Sequence, residues 1–485
     1  MDSAHIFKDA GIDPAKFYAR SFKLSELQPA QCGIEGIGPE LDSGEQPRLC
    51  LIESIVEGEG KDWEKKRLGK NLLDSFALIF AQPRSGGVVA TILEYSGEES
   101  NDYTLWIAKN FVRDCPFAKL ARKLETWFKD REERERDAQG HHIHIPTSQN
   151  NLWCTILRNC YPMIRVSLKH ASKVKNAVES SIPCPQTVPK KLNDILRELD
   201  KYFPETRGPN IAQEWKNGGS ALEQFLDIIT RLCYDLLESN MASPNALFRH
   251  CCKESTHEIW WKKLRRLIYI LANYRRAWYD IVRFKTSHES ATLQIQCIPT
   301  SGYCTGNSII LSDIIREGKA KGIYESRSRA EIVRDYSILP KLERETKAKQ
   351  AWPRVHCELR ILDFLLENRD LKNVFNYIGC SKGPCWLCHY TLECMAPKIG
   401  MRACNLKLYP VWEPPRFQGS PQNRQRFIKV LQSLDKTIKD VLNREMKKQL
   451  KPRAYRYSNC KPDCPDIEET FLLPNTELMC QLEKE

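Results

Sequence analysis

Two helical patterns that each begin at a proline, with a short β pattern between them, constrain the fold of this chain more than any other feature. The first covers 352–368 with Pro353 at its start, and the second covers 384–395 and begins at Pro384. Proline is favoured at the first position of a helix because the N–H group that it lacks has no partner there. With the β pattern at 374–379, they predict a helix–strand–helix unit that brings two helix N-termini side by side at one edge of a sheet.

Residues that typically bind metal ions lie at both helix starts. Cys385 and Cys388 are three residues apart, so their thiols project from the same face of the second helix. Exposed N–H groups and the helix dipole in a first turn favour the thiolate, which is the form that binds metal. Two thiolates suit zinc, which takes about four ligands in a tetrahedral array. The sequence therefore predicts a Zn²⁺ site in which His356 is the third ligand and water takes the fourth position, as in catalytic sites.

Glu358 follows His356 by two residues and is not needed as a ligand. A carboxylate beside a zinc site can accept a proton from water and hand it on, as a general acid and base. We therefore expect Glu358 to be the catalytic residue. An H-x-E in one helix followed by P-C-x-x-C in the next, here VHCEL and GPCWLC, is the signature of zinc nucleobase deaminases.

Three other interpretations of these cysteines remain open. A closed structural zinc knuckle would take its ligands from Cys380, Cys385, Cys388 and His389. That knuckle gives no reason for the spacing of His356 and Glu358. A redox Cys-x-x-C usually lies in a βαβ context near the N-terminus, which is missing here. The third is a deaminase fold without activity that serves as a nucleic-acid or protein binding module.

The stretch 354–412 resembles the OTT-type deaminases, a branch of the cytidine-deaminase-like zinc deaminase superfamily with many fungal members. The resemblance rests on IGCSKGPCWLC and on the following KLYPVWEPP, and a weaker one covers 87–110, where the superfamily has its first hairpin. It implies that the three predicted ligands hold Zn²⁺. It also implies that Glu358 transfers the protons during hydrolytic deamination of a nucleobase, either cytosine or adenine.

The same resemblance points to two candidate substrate-binding residues. The Asn at the end of the first hairpin often touches substrate in relatives, and Asn110 occupies that place in WIAKN. OTT-type sequences often carry His-Gly just before the KLY segment, where this chain has Asn405 and Leu406. This departure from the family pattern bears on the choice of substrate.

The remaining patterns indicate a mixed, helix-rich α/β fold. Helical spacing over 62–80, two β-rich runs that form a hairpin at 86–110, and an almost wholly helical stretch at 116–285 precede a β pattern at 291–299. We expect a cytidine-deaminase-like three-layer α/β/α domain with a large helical insertion or accessory domain. The predicted divisions are an irregular segment at 1–60, the first part of the deaminase-like domain at 61–112, the helical insertion at 113–350, the zinc-binding core with an amphipathic C-terminal helix at 351–450, and a polar tail at 451–485.

Residues 257–285 interleave aromatic and basic side chains, a combination that suits single-stranded nucleic acid. The candidate nucleic-acid-binding residues are Lys262, Lys263, Arg265 and Arg266. An apolar stripe through the same segment equally fits an ordinary core helix with buried aromatic rings. The net charge of +12 favours an acidic partner. We therefore expect a nucleobase-containing substrate, preferably within single-stranded DNA or RNA.

Hydropathy gives no sign of a membrane or secretion segment. No apolar stretch is long enough to span a bilayer, and the first residues lack a charged region followed by an apolar one. We expect an intracellular protein, cytoplasmic or nuclear, in which most of the 20 cysteines are thiols. The oligomeric state is left open.

Overall fold

The computed structural model of the protein describes most of the helical and β patterns. The described residues are 4–27, 61–81, 87–96, 101–110, 118–129, 147–168, 171–179, 190–202, 220–239, 258–288, 290–299, 355–369, 371–401, 408, 412–417 and 419–449. Asn405 and the predicted polar tail at 451–485 lie outside them.

Helices dominate the described residues. In chain order they are α1 (Ala4–Asp9), α2 (Pro14–Leu27), α3 (Lys61–Phe80), α4 (Ala118–Lys129), α5 (Thr147–Leu168), α6 (Ala171–Glu179), α7 (Lys190–Tyr202), α8 (Ser220–Ser239), α9 (Glu258–Ser287), α10 (Cys357–Asn368), α11 (Trp386–Met395) and α12 (Pro421–Gln449). The strands are β1 (Val89–Tyr95), β2 (Asp102–Lys109), β3 (Thr292–Cys297), β4 (Tyr377–Cys380) and β5 (Gly400–Met401). Within the described part of the chain, no helix is both long and apolar enough to cross a bilayer.

The five described strands form one sheet in the order β3-β2-β1-β4-β5. β1 and β2 are neighbours that follow each other in the chain, as expected for the predicted hairpin. β4 and β5 are parallel, with Tyr377 opposite Gly400 and Ile378 opposite Met401, and α11 connects them. These features confirm the helix-rich mixed α/β class. The cytidine-deaminase-like layer arrangement stays a prediction.

The chain divides into two compact units. Unit 1 comprises Met1–Glu59, Trp106–Arg113 and Cys297–Thr470. Unit 2 comprises Gly60–Leu105, Asp114–Gln296 and Phe471–Glu485. All predicted site residues that the structure describes around the zinc pattern belong to unit 1, whereas α9 belongs to unit 2.

The irregular structure expected at the N-terminus is wrong for residues 4–27, which form α1 and α2. Their apolar periodicity is short, but both helices pack against α12 in unit 1. Phe7 and Phe17 are buried with ring centroids 5.2 Å apart, and Arg20 pairs with Asp435 of α12 at 2.6 Å. Tertiary packing therefore stabilises helices that local propensity alone does not predict.

The core of unit 2 surrounds α9, which packs against α3 and α8. Trp261, Tyr274 and Trp278 of α9 are buried. Asp280 is also buried and accepts a hydrogen bond from the Ser75 hydroxyl of α3 at 3.1 Å. One long amphipathic helix thus supplies much of the centre of this unit.

Candidate active site

The three predicted zinc ligands come together in unit 1. His356 Nδ1 lies 3.5 Å from Cys385 Sγ and 3.3 Å from Cys388 Sγ, and the two sulfurs are 3.4 Å apart. Zn–S and Zn–N bonds of about 2.3 and 2.0 Å in a tetrahedron would separate these atoms by about 3.5–3.8 Å. The three donor atoms are therefore spaced almost as a zinc ion requires, and their types are those that zinc prefers.

Both helices that carry the ligands begin later than their prolines predict. Val355 and His356 are not helical, and α10 begins at Cys357 with His356 as its N-cap. α11 begins at Trp386, and Cys385 is its N-cap. The prolines misplaced both helix starts because the N-cap positions are occupied by the potential metal ligands His356 and Cys385 instead. Two of the three ligands thus occupy the cap positions of two different helices.

The sulfur of Cys385 has a structural role as well. It accepts a hydrogen bond from the backbone N–H of Cys388 at 3.5 Å, as an N-cap side chain does at the third helical position. The cap places both sulfurs beside the unsatisfied N–H groups of the first turn, where negative charge is favoured. The local backbone therefore fixes the two cysteines at ligand spacing.

Burial and hydrogen bonding act in opposite directions on the two thiols. Removal from water by itself raises the pKa of Cys385, but hydrogen bonds to Cys388 and His356 and the charge of His356 lower this pKa well below its ordinary value. Burial and the neighbouring Cys385 sulfur raise the pKa of Cys388. The pair therefore favours a single thiolate shared with a second thiol, a charge state that attracts a cation.

Glu358 occupies the second position of α10 and is only 3 % exposed. Its Oε2 accepts a hydrogen bond from the thiol of Cys357 at 3.5 Å. Burial raises the pKa of Glu358, and the charge of His356 offsets part of this effect. The carboxylate is not part of the ligand group. This placement suits proton transfer beside a metal rather than metal ligation.

Asn110 joins the end of the hairpin to the start of α10. Its Oδ1 accepts a hydrogen bond from the backbone N–H of Cys357 at 2.7 Å. His356, the N-cap residue, makes no capping hydrogen bond with its own side chain. Asn110 therefore caps α10 from a position 247 residues earlier in the chain. Its predicted contact with substrate stays a prediction.

The ligand set of the alternative zinc knuckle is not brought together. Cys380 Sγ points to the carbonyl of Ile378 at 3.9 Å, and His389 Nε2 lies 3.1 Å from Glu393 of its own helix. Among the described residues, His356, Cys385 and Cys388 form the cluster of potential metal ligands. Cys380 and His389 are not members of this cluster. The geometry thus favours an open three-ligand site over a closed knuckle.

The candidate nucleic-acid-binding residues lie on the first half of α9, next in sequence to the buried ring of Trp261. Lys263 is exposed with its Nζ 4.3 Å from the ring centroid of Trp260, and the guanidinium of Arg265 lies 5.8 Å from that of Tyr269. Arg266 is half-buried, and the side chain of Lys262 lies outside the description. Most aromatic rings in this segment are core residues, whereas two half-buried rings accompany the basic side chains.

Sequence patterns missed two residues of α10 that are important in the structure. Arg360 and Asp363 are 1 % and 2 % exposed, although the sequence patterns indicated no role for either residue. Asp363 Oδ1 accepts the backbone N–H of Phe417 at 3.0 Å, and Phe417 has a positive φ of 46°. The available signal was the near-continuous apolar run around them, which is typical of a helix buried on all sides.

Comparison with known families agrees with this geometry. Residues 355–416 match the family model described as OTT_1508-like deaminase. The matched range includes all three potential ligands and Glu358. This segment is therefore similar to deaminases of the OTT type, which supports the resemblance that the sequence motifs indicated. No curated protein and no solved structure matches the chain.

Proposed function

We propose that the protein is a zinc-dependent hydrolytic deaminase that acts on a nucleobase, cytosine or adenine, within single-stranded DNA or RNA. The observation that carries the proposal is the cluster of His356, Cys385 and Cys388 with buried Glu358 two residues from the histidine. The matched deaminase segment contains the whole cluster. A two-sulfur, one-nitrogen donor set fits zinc and leaves one coordination position open.

The reaction replaces an exocyclic amine by oxygen. Bound zinc would supply Lewis acidity that makes a water molecule a stronger nucleophile at neutral pH. Glu358 removes one proton from this water as the oxygen adds to the carbon that bears the amine, and it gives this proton to the ring nitrogen. Glu358 then takes the second proton from the added hydroxyl and delivers it to the departing nitrogen, so that the C–N bond breaks, the C=O bond forms and ammonia leaves.

Asn110 would orient the substrate in this scheme. Its Oδ1 accepts the backbone N–H of Cys357, so Nδ2 is the amide atom that would bind a ligand. An N–H donor of this kind suits a hydroxyl or carbonyl oxygen of the nucleotide. The preference for a polymer rests on the net charge of +12 and on exposed Lys263 beside Trp260.

The proposed domain organisation places a cytidine-deaminase-like core around the zinc-ligand cluster. The helix–strand–helix–strand order of α10, β4, α11 and β5, with its parallel strand pair, supports a cytidine-deaminase-like core. The region at 113–350 would then be an insertion or accessory domain of that core.

The direct test combines metal analysis with substrate turnover. Purified full-length protein should contain about one zinc per chain. It is incubated separately with single-stranded DNA, single-stranded RNA and free nucleosides, and mass spectrometry detects replacement of an amine by oxygen. Deamination of a polymer supports the proposal. Bound zinc without deamination of any of these substrates would instead identify an inactive binding module.

A further inference from the structure

The start of α10 is attached to the end of β2 at two points. Asn110 Oδ1 accepts the N–H of Cys357, and the Arg360 guanidinium donates through Nη1 to the carbonyl of Lys109. The two groups on the β2 side belong to consecutive residues, and the two on α10 lie within one helical turn. Two attachment points fix both the position of a helix end and its rotation about its axis, whereas a single point leaves the rotation open.

Arg360 is buried more completely than its charge would lead one to expect. It is 1 % exposed, and a second guanidinium nitrogen, Nη2, lies 3.5 Å from the carbonyl of Pro299, just after β3. A buried cation is costly unless hydrogen bonds replace its water. The planar fork of arginine can reach carbonyls of two segments at once, which the single ammonium of lysine cannot do in the same geometry.

Arg360 is also directly connected to the ligand end of the helix. Its backbone N–H bonds to the carbonyl of His356 at 3.0 Å, which closes the first turn. Arg360 thus lies one helical turn after His356, and Glu358 lies between them in sequence. A shift of the Arg360 side chain would therefore move both functional side chains with the helix end.

We propose that Arg360 is a positioning residue of the site. It holds the start of α10 against the end of β2, so that His356 and Glu358 keep their places relative to Asn110 and to the two cysteines. The predicted effect of Arg360 on the reaction rate rests on the proposed function. The predicted effect of Arg360 on the position of the helix start is independent of that function, and a separate experiment measures each effect.

The first measurement needs neither metal nor substrate. Hydrogen–deuterium exchange is followed in full-length metal-free protein carrying Arg360→Lys, which keeps the charge but removes the fork. Amides at 357–360 should exchange about tenfold faster than in wild type, with the rest of unit 1 unchanged. Arg369→Lys is the matched control at the C-cap of the same helix, where the guanidinium lies over the rings of Trp106 and Phe364 at 4.6 and 5.1 Å. It should leave exchange at 357–360 unchanged.

The second measurement concerns the loaded site. Arg360→Lys should weaken zinc affinity about tenfold and alter the cobalt(II) absorption bands of the substituted protein, which report ligand geometry at His356 and the cysteines. With the substrate found in the turnover test, kcat should fall about 10- to 100-fold with little change in KM, because the displaced groups act on the reacting atoms. Arg369→Lys should change none of these values.

The outcomes separate this proposal from the proposed function. Unchanged exchange at 357–360 in Arg360→Lys overturns it, and so does faster exchange throughout unit 1 with a lower Tm, which marks a general role in stability. Faster local exchange in a protein that binds no zinc supports the positioning role and rejects the deaminase. If Arg360→Lys fails to fold, Asn110→Ala removes the other attachment point and decides by the same local exchange.

Discussion

α9 and α10 both stand out in the sequence, but the candidate binding residues of α9 and the charged residues of α10 differ in burial. In α9 the exposed Lys263 and the half-buried Arg265 lie over aromatic rings at the surface of unit 2. In α10 three charged residues, Glu358, Arg360 and Asp363, are all at most 3 % exposed. Each of the three is hydrogen-bonded to a defined partner.

The difference between the two helices is one of cost. An exposed charge needs no partner, so a basic surface arises easily and says little about function. A buried charge costs several kcal/mol unless it is hydrogen-bonded. The position of a helix that buries three charges is therefore tied to the hydrogen bonds of those charges. α9 also buries Arg275 and Asp280, which are bonded to Asp227 and Ser75. Buried and bonded charges therefore mark constrained parts of the structure, and α10 is distinguished by the ligand cluster at its start.

The largest effect is expected from a ligand between α10 and α11. Cys388→Ser replaces a thiolate by a hydroxyl that does not ionise at neutral pH, so zinc and all deaminase activity should be lost. Zinc content is measured by mass spectrometry of the purified variant. Cys380→Ser is the control, because Cys380 is buried nearby but lies outside the ligand cluster, and it should keep its zinc. Zinc loss in Cys380→Ser but not in His356→Ala would restore the knuckle.

The next largest effect tests whether a buried charge of α10 does chemistry. Glu358→Gln keeps the size and hydrogen-bonding capacity of the side chain but cannot accept a proton from water at neutral pH. The rate should fall roughly 10²- to 10⁴-fold, with zinc and fold retained. Rates are compared under single-turnover conditions together with zinc content. Near wild-type turnover would reject Glu358 as the proton carrier, and loss of zinc would make it a ligand.

α9 has a buried acid of its own, and its effect should be smaller and confined to stability. Burial raises the pKa of Asp280 to about 6, although Ser75 and two arginines of α9 lower it in part. Because the folded-state pKa lies above the unfolded-state value of about 3.9, the contribution of Asp280 to stability is complete below about pH 4 and is lost as the pH rises through about 6.

Asp280→Asn removes this titration and keeps an acceptor for Ser75. At pH 7 the variant should exceed wild type in free energy of unfolding by up to about 3 kcal/mol, and the difference should shrink towards pH 4. Urea unfolding at several pH values measures it. The control Asp235→Asn, at an exposed position of α8, should change stability by less than about 0.5 kcal/mol. A difference that grows as the pH falls would contradict the sign.

The smallest effect is expected at the surface of α9. Lys263→Glu with Arg265→Glu should weaken binding of single-stranded oligonucleotides roughly three- to tenfold and flatten the salt dependence, without altering stability. Lys436→Glu with Lys439→Glu, at exposed positions of α12, is the control with the same change in net charge. Equal loss in both pairs, measured by fluorescence anisotropy over a salt series, would mean that overall charge rather than α9 contacts the polymer.

The spacing of residues within a single helical turn was enough to predict which side chains of the site lie close together. Cys385 and Cys388 come together because they are three apart, and His356 and Glu358 precede them at the start of another helix. The mixed α/β class followed from the hairpin and from the helical patterns. These inferences needed only periodicity and the chemistry of the side chains.

The remaining features depend on contacts between distant segments. The start of α10 is decided by Asn110, which no local pattern connects to Cys357. Arg360 resembles an ordinary solvated cation in the sequence, and its burial follows from carbonyls at Lys109 and Pro299. α1 and α2 form because α12 covers them. Tertiary contacts of this kind override local propensity and stay invisible to it.

The bond between Asn110 and Cys357 has an evolutionary consequence. It closes a loop whose two ends are 247 residues apart along the chain. The entropy of closing a flexible loop grows only with the logarithm of its length, so doubling the loop costs about 0.6 kcal/mol. Insertions and deletions in the connections between the helices and strands of this stretch therefore place little thermodynamic load on the site. Evolution can change the lengths of those connections, whereas Pro299, which lies within the stretch and accepts from Arg360, has to keep its place.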